Sequence, residues 1–66
     1  MTPDRPAAEL SSLATALAEL GRRITALAEQ YAGTEADTLS QGLFEVERTL
    51  GEALRRLDRL NRSLHG

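Results

Sequence analysis

The chain has 66 residues, enough for one small domain or for a subunit of something larger. Eight arginines, no lysine and ten acidic residues give a net charge of −2, and Tyr31 and Phe44 are the only aromatics. With no Cys, a disulfide scaffold and a thiolate metal site are excluded.

The acidic balance argues against a strongly basic nucleic-acid binder, because neutralising phosphates needs surplus positive charge. No apolar run approaches the roughly 20 residues that a bilayer-spanning helix requires. The opening Met1-Thr2-Pro3-Asp4-Arg5-Pro6 lacks the apolar stretch of a signal peptide, so a reduced, cytoplasmic setting is expected. Arginine without lysine, together with abundant alanine, fits a high-GC bacterium or its phage.

Both prolines fall at the start, where a first helical turn tolerates them, with Asp4 or Thr2 as the candidate N-cap. Beyond Pro6 the large apolar residues read Leu10, Leu13, Leu17, Leu20, Ile24, Leu27 and Tyr31, alternating steps of 3 and 4. That is a heptad a/d pattern, and it predicts a first helix over about 5–32.

Stop and start signals then sit side by side. Gly33 suits the left-handed residue that ends a helix, and Thr34 suits the N-cap of the next. Asp37, three residues on, completes a capping-box-like pair. The turn is expected at 33–34 and the second helix over about 35–64. So short a connection makes the helices antiparallel neighbours within residues 1–66, a single helical hairpin.

The second helix carries Ala36, Leu39, Leu43, Val46, Leu50, Ala53, Leu57, Leu60 and Leu64 at the same spacing. Matched antiparallel, Tyr31 meets Leu39, Leu20 meets Leu50 and Leu10 meets Leu60, every pair of numbers summing to 70. These rows are therefore expected to form the seam of the hairpin. The fold class is all-α, an antiparallel two-helix coiled coil.

A core shared by only two helices is thin, and chains of this size need a staple or a partner. A homodimeric four-helix bundle is the expected answer. Small residues recur as Ala7, Ala14, Gly21 and Ala28, one heptad apart, and would let another helix approach closely. Phe44, Gly51 and Leu54 lie off the leucine rows of the second helix. Ala14, Gly21, Ala28, Phe44, Gly51 and Leu54 are accordingly the candidate oligomer or partner interface.

Charge divides the second helix. Residues 34–47 hold Glu35, Asp37, Glu45 and Glu47 without an arginine, whereas 48–65 hold Arg48, Arg55, Arg56, Arg59 and Arg62. The gradient complements the helix dipole, and it would also match a second copy laid antiparallel about Leu50 and Gly51. Arg48, Arg55, Arg59 and Arg62 form a candidate face for an anionic partner.

Nothing points to catalysis, a cofactor or a metal. His65 is the only histidine, no Glu-x-x-His pair exists, and the glycines are scattered singly. Architecture resembles the plasmid RNA-binding hairpin regulators that dimerise into four-helix bundles, which implies a dimer but lends no site residue. Leu43-Phe44-Glu45 with Arg48 resembles the second helix of the exonuclease VII small subunit family, although residues 33–38 depart from that family's leucine- and glutamate-rich turn. The expected function is a non-enzymatic interaction or adaptor module. The alternatives are a small regulator touching nucleic acid through its arginines, or an accessory subunit of a larger enzyme.

Overall fold

The computed structural model describes residues 4–65, in the order α1 (Asp4–Tyr31) and α2 (Asp37–His65), with no strand among the described residues. Thr2, one of the two candidate N-caps, lies outside the described residues, as do the side chains of Asp4 and His65. The two helices pack against each other along their length as a rod of 53 × 14 × 12 Å.

Residues 32–36 connect the helices, so the turn is longer than the expected 33–34 and the second helix begins two residues later than the expected 35. Gly33 adopts φ +75°, the left-handed conformation that only glycine takes without steric cost. Thr34 closes the turn and does not cap α2, which begins three residues on: its hydroxyl oxygen accepts the Ala36 N–H at 3.1 Å. The Asp37 carboxylate accepts from the Gly33 N–H at 2.8 Å, one residue before the position a capping box would use. That reach delays the regular ladder, which opens with Ser40 N–H to the Ala36 carbonyl.

The seam takes up only part of the leucine pattern. Six leucines (Leu13, Leu20, Leu27, Leu39, Leu60 and Leu64) and Val46 remain between 43 and 55% exposed. The buried positions are Ala7, Ala28 and Ser40, flanked by half-buried Leu10, Ala14, Leu17, Gly21, Ile24 and Tyr31 on α1 and Leu43, Leu50 and Leu57 on α2. In α1 the contact therefore follows the small-residue line, one heptad position beyond the leucines at 13, 20 and 27. Side chains of this size bring two backbones close, and close backbones gain dispersion contacts that bulkier residues would hold apart. The outer leucine rows, with Leu13, Leu20 and Leu27 on α1 and Leu39, Val46 and Leu60 on α2, are displaced to one side, called the front below.

Two hydrogen bonds lock the register at opposite ends. Near the turn, the Ser40 hydroxyl donates to the Ala28 carbonyl at 2.7 Å, with Ala28 at 0% and Ser40 at 1% exposure. At the far end, Asn61 Nδ2 donates to Ser11 Oγ at 3.2 Å. Asn61 Oδ1 is buried there without a partner. An orphaned carbonyl oxygen costs about 1–3 kcal/mol. Asn61→Leu should therefore hold or raise the midpoint of chemical denaturation, a result that runs against the usual penalty for removing a side-chain hydrogen bond.

Candidate functional surfaces

Helical periodicity gives the rod two broad faces. At the open end, Leu10 and Leu13 of α1 and Leu60 and Leu64 of α2 surround one hollow of about 300 Å³. The leucine rows of both helices therefore lie on the same, front side. They run from Leu39 near the turn to Leu64 at the other end, with Leu13, Leu20 and Leu27 alongside. One side of the rod is a continuous apolar strip.

A compact protein of 7.2 kDa exposes about 4,100 Å² by the usual size scaling, whereas this chain exposes 5141 Å². The excess, about 1,000 Å², belongs to the whole elongated rod of 53 × 14 × 12 Å.

The back carries an open groove of about 350 Å³, with Ala18, Gly21 and Thr25 on α1 and Gly51 and Leu54 on α2. A Cβ on Gly21 would meet nothing within 4 Å, and one on Gly51 only the Arg55 guanidinium at 3.7 Å. A glycine inside a helix costs about 1 kcal/mol relative to alanine. Hairpin packing gives no reason for either glycine.

Of the six interface candidates, Ala28 is enclosed between α1 and α2 of one chain, Ala14 is half-buried, and Gly21 and Leu54 line the back groove. The helix that approaches the small-residue stripe is the chain's own second helix, and Ala28 is wholly enclosed by it. Gly51 lines the back groove, not the leucine face on which a crossing with a second copy was expected. Phe44 stays 36% exposed. It shares a line of α2 with Arg48, Gly51 and Arg55 at steps of 4, 3 and 4.

The arginines of α2 all project into solvent. Arg55, Arg56, Arg59 and Arg62, with Glu52, surround a second open hollow of about 340 Å³. Arg62 pairs with Asp58 at 2.9 Å, and on α1 Arg22 pairs with Glu19 at 2.7 Å. All four side chains are more than half exposed, so each pair stabilises little. Among the described residues, no carboxylate stands within ion-pair distance of Arg48, Arg55 or Arg59. Like charges at 55 and 59, and at 59 and 62, repel one another along the helix.

Among the described residues no three His, Cys, Asp or Glu side chains gather as a metal site would need. No described helix is long and apolar enough to cross a membrane. Compared with known proteins, the chain matches no family model, no curated protein and no solved structure.

Sequence reasoning named residues of the back groove without their arrangement and missed the polar side chains of the seam. Gly21, Gly51 and Leu54 of the back groove are among the interface candidates, but nothing in the sequence places them in one groove with Leu17 and Leu50. Ser40 and Asn61 read as ordinary polar helix residues, since only a close backbone across the seam gives their side chains a partner.

Proposed function

We propose that the protein is a non-enzymatic assembly or adaptor module whose working form is a homodimeric four-helix bundle, closed on the leucine faces of two hairpins. The observation that carries this reading is the front strip, seven large apolar side chains close to half exposed on one side of a rod. The enclosed residues of a single hairpin are small, so one copy alone buries little of its apolar surface. A second layer of helices supplies the missing burial.

A second copy fits the strip in length and charge. The helices are 28 and 29 residues long, so either one can lie along its own copy from end to end. Laying α2 antiparallel on itself about Leu50 sets Leu43 level with Leu57 and Val46 level with Leu54, with Leu39 one residue from Leu60. The same operation sets the acidic first half of α2 beside the arginine-rich second half, the self-complementarity that an isologous dimer requires.

Light scattering across micromolar concentrations, with circular dichroism on the same samples, tests the proposal. The expected mass is twice 7.2 kDa, with helicity that rises as the protein is concentrated. A monomer whose helicity ignores concentration would overturn the homodimer and assign the leucine face to a different chain, as in an accessory subunit.

A further inference from the structure

We infer that the outer side of α2 binds a short linear polyphosphate through Arg55, Arg56, Arg59 and Arg62. These four side chains, with Glu52, surround one open hollow of about 340 Å³ to which α1 contributes nothing. Among the described residues, Arg55, Arg56 and Arg59 have no carboxylate within ion-pair distance, and Arg62 pairs with Asp58. The dipole of α2 accounts for a cation in the last turn only, which holds Arg62. Arg59 and Arg55 stand one and two turns further in, where neighbouring guanidinium groups repel one another. A guanidinium fork takes two phosphate oxygens through parallel hydrogen bonds, and one multiply charged chain relieves the repulsion among several arginines at once.

The extent of the positive surface sets the length of the ligand. At the rise of a helix, Arg55 to Arg62 spans about 10 Å and Arg48 to Arg62 about 21 Å. Beyond Arg48 the charge reverses, for residues 24–47 hold Glu29, Glu35, Asp37, Glu45 and Glu47 and no arginine. Exposed charges further apart than about 8 Å are largely screened at physiological ionic strength, so the arginine end keeps its own potential despite the net charge of −2. A long polyanion laid along the rod would run onto the carboxylates, whereas a chain of a few phosphates ends before them. No aromatic side chain borders the hollow, and Phe44 lies about 16 Å along α2 from Arg55. A nucleobase therefore gains no stacking surface, and a nucleotide is held by its phosphates alone.

The hollow shares no residue with the leucine strip, so its test is separate from that of the bundle. Amide shifts of the isotope-labelled chain are followed by NMR as sodium tripolyphosphate is added, with sodium chloride at matched ionic strength as the reference. The expected result is saturable shifts over 52–62, half complete below about 1 mM at low salt and at least tenfold weaker in about 0.2 M sodium chloride. Adenosine triphosphate should match tripolyphosphate within about threefold, and adenosine should give no shift.

Two double variants locate the site. Arg55→Gln with Arg59→Gln should weaken binding at least tenfold. Arg22→Gln with Arg23→Gln removes the same charge from exposed positions of α1 and should leave binding within about twofold. Circular dichroism should match the parent for both, because all four side chains are exposed. Equal losses from the two pairs would reduce the effect to net charge, and shifts produced by adenosine alone would place recognition in the base; either result overturns the inference. So would a short DNA duplex that shifts the same amides at lower concentration than tripolyphosphate, which would make the surface a nucleic-acid contact.

Discussion

Replacing Leu20 and Leu60 together by glutamate should halve the particle mass in solution and abolish the concentration dependence of its melting temperature. Both residues belong to the front strip, at 44 and 55% exposure within the hairpin. A fully buried leucine contributes about 1.5–3 kcal/mol, and roughly half of that is still available at each position. The dimer holds four such sites. Lost burial alone raises the dissociation constant at least about 100-fold, and desolvating four carboxylates adds to it. Sedimentation equilibrium reads the effect directly. An unchanged mass would show that the front strip is not where copies meet.

The second large effect belongs to the seam. Ala28→Leu should destabilise the folded chain by about 3 kcal/mol, because the site has no space for a larger side chain. Ala28 is at 0% exposure, and its carbonyl accepts the Ser40 hydroxyl at 2.7 Å. Three added carbons would force α1 and α2 apart beside the turn and break that hydrogen bond as well. Ala16→Leu provides the contrast. Ala16 is exposed on the same helix, and its replacement should move stability by no more than about 0.5 kcal/mol. Urea denaturation of the two variants compares them at one concentration. Equal stabilities would contradict a seam built on small residues.

These two expectations also mark what was legible in the sequence. Both helices and their antiparallel hairpin follow from heptad spacing and from Gly33, whose role depends on local backbone chemistry alone. The seam does not follow in the same way. Hydropathy sees Leu13 and Leu20 as the strongest candidates for burial, yet in a single hairpin the closest approach is decided by size, and alanine and serine win it. The stripe at 7, 14, 21 and 28 was readable as a place for a neighbouring helix. Which helix takes that place depends on the rotation of α1 about its own axis, and a periodic pattern with two adjacent apolar lines leaves that angle open. The turn shows a smaller version of the problem: Asp37 is an acceptor as expected, but the donor it reaches sets the start of α2.

The two hydrogen bonds that fix the register also differ in how far apart their partners lie along the chain. Ser40 and Ala28 are 12 residues apart, whereas Asn61 and Ser11 are 50 apart. Closing the shorter loop sacrifices less chain entropy, and each contact made near the turn shortens the gap that the next must bridge. The rod therefore closes like a zipper, beginning at Gly33 and ending where Leu10 meets Leu60. Opening runs the other way. Amide protons should be exchanged first at the end that holds both termini and last beside the turn, so the same chain that is uniformly helical is graded in lifetime from one tip to the other.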